Sequence, residues 1–295
     1  MKIITQISSF FAASLFLASN ASAVCPADPF DNTSWAFQAE GSDFYFKSVA
    51  SIGRFQIVKT STGYLLTGNM TFNADGSVIR LASTVGKPQL EGAGGTLQFS
   101  DGRNGVLWQF VFADDCREMF LLSEVYLNGA ILAKVIKGTA TRIDAQASCP
   151  LNPYQLLESA FAPGGWSFTS KSAVWTGVNG LASVGLLKAS AGVGDRRQQP
   201  GNLSGVVTTN VGSVDYSGRL PAIGNNVFRN AQVNGQYQVY ADCSGGTLSF
   251  LVGPYSVQYE FVFADGPYSK AFLVSTLATA NSNRTDIFKG TLSKY

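Results

Sequence analysis

The chain contains no histidine, and only 14% of its residues are charged. Without imidazole, neither a Ser-His-Asp nor a Cys-His catalytic group can be assembled, and no zinc site can be built on His. A general base would have to be a carboxylate or a perturbed Lys or Tyr. The net charge is only +2, and the longest basic run is Arg196-Arg197. The electrostatic footprint of a nucleic-acid binder is missing, so no nucleic-acid partner is expected. Beyond the N-terminal segment no apolar run approaches the roughly 20 residues that a membrane-crossing helix needs, so no integral membrane span is expected. The Gly-rich stretches 92–95 and 192–194 are not followed by Lys-Ser/Thr, which argues against a phosphate loop. Nothing in the pattern calls for a metal or a cofactor, and none is expected.

What is abundant is glycine (31), phenylalanine (21) and tyrosine (11), with 45% apolar residues overall. Such a composition is too apolar for disorder. Gly-rich turns between aromatic and β-branched runs indicate an all-β chain. The first 23 residues have the form of a secretory signal peptide: Lys2, an apolar run over Phe10–Leu17, then Ala21-Ser22-Ala23. The expected mature protein is secreted, to a periplasm or outside.

One stretch occurs twice. Gly94 to Asp114, GGTLQFSDGRNGVLWQFVFAD, matches Gly245 to Asp265, GGTLSFLVGPYSVQYEFVFAD. Four shorter matches keep the same order: 50–53 with 182–185, 66–68 with 203–205, 76–78 with 212–214 and 137–139 with 289–291. The chain therefore reads as a duplication, with units over 24–144 and 145–295. Within each unit the period is two. Trp108, Phe110 and Phe112 alternate with Gln109, Val111 and Ala113, as in half-buried strands. Turn pairs punctuate the strands at Asp75-Gly76, Asp101-Gly102, Asn128-Gly129, Asn234-Gly235 and Asp265-Gly266. The expected fold is two tandem antiparallel up-and-down β-barrels, since closure removes sheet edges. An open sandwich is the alternative. A short helix is expected over 152–161, with Asn152 as N-cap and Pro153 in the first turn.

The four cysteines fall two per unit. Cys25 and Cys149 each precede a Pro just ahead of a first strand, whereas Cys116 and Cys243 sit on different turns. Of the three possible connectivities, Cys25–Cys116 and Cys149–Cys243 are expected, because each unit then pins its own lead to its own barrel.

Gly164-Gly165-Trp166 resembles the Gly-x-Trp that opens a lipocalin barrel, and the resemblance extends to the wider calycin group. It implies that a basic residue at the end of the last strand packs over this Trp. The pairs would be Trp166 with Lys294 and Trp35 with Arg142, each closing a barrel through a cation–π contact. The run Gly235 to Thr247 is also similar to a pattern in small secreted bacterial proteins of unassigned function.

The aromatic stripes Trp108, Phe110, Phe112, Tyr259, Phe261 and Phe263 either fill the cores or line a cavity for a small apolar or amphiphilic ligand. Glu260 lies between Tyr259 and Phe261. It faces solvent if those aromatics face inward, and it is an acid–base candidate if it faces inward itself. Asp114 and Asp265 read as turn residues. Asn32, Asn69, Asn202 and Asn283 lie in Asn-x-Ser/Thr sequons. The expected function is non-enzymatic binding of such a ligand. The alternatives are a structural or partner-binding surface protein and a barrel isomerase or lyase using carboxylates alone.

Overall fold

A computed structural model describes residues 25, 28–42, 48–74, 77–86, 88–100, 105–113, 116–127, 130–144, 149, 165–172, 181–190, 200–211, 227–252, 255–279 and 287–294. The signal segment, the expected helix at 152–161, Asp114 and Asn283 lie outside them, as do the turn pairs at 75–76, 101–102 and 128–129. Among the described residues the chain is all-β. Nine strands form the first unit: β1 (Thr33–Ser42), β2 (Ser48–Thr60), β3 (Gly63–Ala74), β4 (Ser77–Gly86), β5 (Pro88–Glu91), β6 (Gly94–Ser100), β7 (Gly105–Ala113), β8 (Glu118–Leu127) and β9 (Ala130–Ile143). Eight form the second: β10 (Trp166–Ser172), β11 (Leu181–Ser190), β12 (Gly201–Val211), β13 (Val227–Val239), β14 (Gly245–Val252), β15 (Tyr255–Phe263), β16 (Lys270–Thr279) and β17 (Phe288–Lys294).

Strands β10 to β17 close an antiparallel barrel, each pairing with its sequence neighbour and β17 returning to β10. The first unit is a nine-stranded antiparallel sheet in the order β4-β3-β2-β1-β9-β8-β7-β6-β5, in which the end strand β4 also meets β6 at one pair, Val85↔Ser100. The difference has a local cause. Gly86 pairs with Leu66 as Gly235 pairs with Leu203, so β4 and β5 together occupy the place of the single strand β13. Pro88, with no N–H to donate, stands at the start of β5, where the first unit breaks a strand that the second carries through.

The two copies of the duplicated sequence occupy equivalent register positions. Gly94 faces Val111 as Gly245 faces Val262, and Gly138 faces Ala39 as Gly290 faces Ser170. Trp35 faces Arg142, and Trp166 faces Lys294, at the closing pairs β1–β9 and β10–β17. Asn234-Gly235 is not a turn: it lies inside β13, with Asn234 opposite Ser204 and Gly235 opposite both Leu203 and Phe250. The glycine marks a close approach of two backbones, since a methyl there would overlap the Ser249 carbonyl oxygen.

Disulfides join Cys25 to Cys116 and Cys149 to Cys243, with Cα–Cα distances of 5.4 and 5.6 Å. Cys116 sits between β7 and β8, and Cys243 between β13 and β14, so the two bonds staple different corners of equivalent folds. Both turn cysteines are buried and take positive φ, 62° and 56°. Bonds of this kind persist in oxidising compartments.

The two units dock through the outer faces of their sheets. Ala36, Ala50, Ile52 and Ile143 from the first unit pack on Val262, Ala264, Phe272, Val274 and Ile287 from the second, and all are buried. Strand alternation explains this third core: Tyr259, Phe261 and Phe263 fill the barrel, so Val262 on the same strand must point out of it. A polar rim surrounds the apolar patch. Lys289 bonds Glu40 at 2.8 Å with Lys171 at 3.9 Å, and the Asn73 amide donates to the Ser275 carbonyl. Burial lowers the Lys289 pKa, and the bond to Glu40 opposes that shift.

Candidate functional site

Where the two units meet, a cleft of about 180 Å³ remains. The first unit lines it with Ile52, Gly53, Asn69, Met70, Thr71, Arg80 and Leu81, and the second with Tyr240, Ser244, Glu260 and Val262. The backbone of β3 and β4 makes the opening. Gly68 pairs with Thr84 but Met70 pairs with Leu81, so two residues of β4 stand against Asn69 alone. Such a bulge bends the strand and interrupts the ladder. It brings Met70 and Leu81, both of the first unit's inner face, to the wall of the cleft beside the outward-facing Ile52 and Thr71.

Glu260 sits at the centre and is only 6% exposed. The Thr71 hydroxyl donates to its Oε1 at 2.7 Å, and the Arg80 Nε donates to its Oε2 at 2.8 Å. The Tyr240 hydroxyl also bonds it, so one carboxylate gathers donors from both units. The Tyr240 phenol is pushed well above its ordinary pKa, first by burial, then by the Glu260 charge and the bond between them. Arg80 remains 54% exposed, and among the described residues it bonds through Nε alone. Its two terminal amines therefore face the cleft and solvent. Arg54, beside the cleft, donates to the Ser244 carbonyl at 3.4 Å, and burial lowers its pKa.

Glu260 is thus neither solvent-facing nor inside a barrel, the two positions expected from alternation. It points outward from β15, as alternation requires, and the neighbouring unit covers it. Its equivalent Gln109 on β7 is exposed, because no unit covers that face. The Glu-to-Gln difference between the copies was the one trace of this site in the sequence. Thr71, Arg80 and Tyr240 carried no signal, since Thr71 and Arg80 sit on neighbouring strands of the first unit and meet Tyr240 and Glu260, far along the chain, only when the units dock.

The six aromatic residues expected to line a ligand cavity lie in the two separate unit cores. Trp108 packs against Phe37 at 5.6 Å, and Phe110 and Phe112 pack against each other and against Phe30. Tyr259 contacts Phe168 and Phe250, and Phe261 contacts Phe263, which contacts Tyr268. A cavity of about 10 Å³ lies at the Trp166 end of the second barrel, between Leu187, Leu203, Tyr237 and Leu292. That volume holds about one water. Trp35 donates its indole N–H to Thr33 at 2.9 Å and lies against Phe55 and Phe112. Lys270 stands over the Phe272 ring, 5.5 Å from its centre.

Asp265 serves its turn: it accepts from the Ser269 amide at 2.7 Å, from the Lys270 amide at 3.1 Å and from the Ser269 hydroxyl. Of the sequon asparagines, Asn32 and Asn202 are exposed and Asn69 lines the cleft half-buried. No group of three or more metal-ligating side chains is found among the described residues.

No family model matches the chain, and no curated protein matches it. Solved structures of low similarity include a candidate AttH protein from Nitrosomonas europaea (TM-score 0.35, 9% identity, 94% of this chain and 98% of that one). Kievitone hydratase from Nectria haematococca follows (TM-score 0.29, 7% identity, 94% of each chain). A protein of unknown function of the DUF3598 family from Nostoc punctiforme is a third (TM-score 0.25, 8% identity, 91% and 98%). At these values the likenesses carry no argument, and the architecture rests on the strand pairing described above.

Proposed function

We propose that the chain is a secreted binding protein for a small amphiphilic molecule, held in the cleft between its two units. The observation that carries this reading is the cleft itself, with an apolar floor of Ile52, Met70, Leu81 and Val262 under one polar rim. An apolar cavity of roughly 150 Å³ accepts benzene, so a space of this size suits a single ring or a short chain. The free amines of Arg80 and the Asn69 amide offer donors to an oxygen-bearing head group, and a guanidinium fork matches a carboxylate. The packed aromatic interiors favour the cleft over either barrel as the site. Two disulfides and the signal-like N-terminal segment support secretion.

Titration of the secreted protein with benzoate and with octanoate, followed by calorimetry, tests the reading. Saturable binding of one of them is expected, weakened by Arg80→Ala and abolished by Asn69→Trp, which fills the cleft from its rim. Binding that survives Asn69→Trp refutes the assignment to the cleft. A wild-type protein that binds neither probe and carries no small molecule in native mass spectrometry refutes the binding function.

A second reading, an acid–base enzyme, is favoured by Tyr240 and Glu260 bonded to each other in the same cleft. It requires turnover that Tyr240→Phe removes while ligand affinity is kept.

A further inference from the structure

The interface within the chain joins two different surfaces: β1–β4 of the first unit and β15–β17 of the second. Because the units are copies, each of these surfaces has a counterpart on the other unit. Register equivalence identifies them. Ile52 corresponds to Val184 and Ala50 to Ala182, on β11, from the pairing of Gly53 with Phe37 and of Gly185 with Phe168. On β12, Thr71 corresponds to Thr208, and on β13 Arg80 corresponds to Arg229. On the other side, Val262 corresponds to Val111, Phe272 to Phe120, Val274 to Leu122 and Glu260 to Gln109, since Val111 faces Phe120 as Val262 faces Phe272.

Two residues buried in the interface, Ile52 and Phe272, have counterparts that face solvent. Val184 and Phe120 are each 56% exposed, while Ile52 is 1% and Phe272 4% exposed, and Leu186, beside Val184 where the first unit has Arg54, is 49% exposed. Those three are among five large apolar side chains found exposed in the described residues. Their coincidence with both unused halves of an interface the chain already makes sets them apart from scattered surface apolar groups. The polar positions are kept only in part. Gln109 keeps an acceptor oxygen where Glu260 has its carboxylate, whereas at Thr208 and Arg229 the strand pairing shifts, and the Thr208 hydroxyl bonds Asn230.

We infer that a second copy of this chain docks head to tail, with the β10–β12 face of one copy on the β7–β8 face of the next. Val184 and Ala182 then cover Phe120, Leu122 and Val111 as Ile52 and Ala50 cover Phe272, Val274 and Val262, and Leu186 and the half-buried Val206, where the first unit has Arg54 and Asn69, add apolar surface beside them. The contact is heterologous, so it propagates into a ring or an open filament according to the rotation per step. One flank differs. Lys171 takes the place of Glu40 opposite Lys137, which takes the place of Lys289, so a like-charge pair replaces an ion pair. The association is therefore strengthened as salt screens that pair.

Sedimentation velocity of the full secreted protein, from micromolar to near-millimolar concentration, tests this. The wild type is expected to grow past a dimer as concentration and salt rise. Phe120→Lys and Val184→Lys each block one face and are expected to be monomeric alone. Mixed together, they are expected to form a one-to-one dimer and stop, because one intact face of each kind remains. Phe120→Ser and Val184→Ser repeat the test without added charge, and thermal unfolding midpoints equal to wild type confirm folding. A wild type monomeric throughout overturns the inference. So does a single variant that still assembles, or a mixture that stays monomeric.

Discussion

Glu260→Ala should cost about 1–4 kcal/mol of stability, a sum worked from Thr71 and Arg80. The Thr71 hydroxyl, in a residue 4% exposed, loses its acceptor, and a buried donor left unsatisfied costs roughly 1–3 kcal/mol. The Arg80 bond is charge-assisted, but the side chain is 54% exposed, so solvent screening holds its share to about 1 kcal/mol or less. Glu260→Gln keeps an oxygen for Thr71 and gives up only the charge, so it should cost about 1 kcal/mol. Urea unfolding at neutral pH, with stability taken from midpoint and slope, measures both. A Thr71→Ala, Glu260→Ala double-mutant cycle should show a coupling of about 1 kcal/mol or more. Should Glu260→Ala fall within about 0.5 kcal/mol of wild type, and the cycle show no coupling, the carboxylate does not join the units and the reasoning fails.

Replacing Cys149 and Cys243 together by Ser opens a loop of 94 residues, and the chain-entropy picture expects a loss of about 4–5 kcal/mol, read by calorimetry against wild type. The Tyr259 phenol, buried and donating to Ser170 at 3.1 Å, is raised above its ordinary value near 10. Stability from a raised phenol is fully present below that ordinary value and is lost as pH rises through the folded one. Tyr259→Phe should thus flatten the decline in stability between about pH 9 and about pH 11 in urea titrations. Gly235→Ala should cost roughly 1–3 kcal/mol by driving a methyl into the Ser249 carbonyl, and an unchanged thermal midpoint would show that β13 is not pressed against β14 there.

Much of the architecture was legible in the chain. The strand period, the duplicated GGTL-to-FVFAD block and the cysteine placement led to antiparallel strands in two repeats and to the observed disulfide pairs. Asn234-Gly235 misled, because the same dipeptide that suits a tight turn also suits a strand crossed closely by another backbone. The break between β4 and β5 was hidden for a related reason. Nothing around Pro88 alone says that β4 and β5 stand in for one strand; that takes β13, the unbroken counterpart, beside them.

Alternation along β15 settles, from the residues alone, that Tyr259 and Phe261 share one face and Glu260 and Val262 the other, because successive side chains of a strand point to opposite sides. Nothing local decides what covers the outer face. That took the docking of one repeat onto another, which turned an outward Glu260 into a buried acceptor and left its twin Gln109 in water. Two sheets of related build can meet in many ways, and the choice depends on the shape and polarity of whole surfaces assembled from distant strands. The cleft, its Arg80 and Tyr240, and the two uncovered faces all follow from that one tertiary choice.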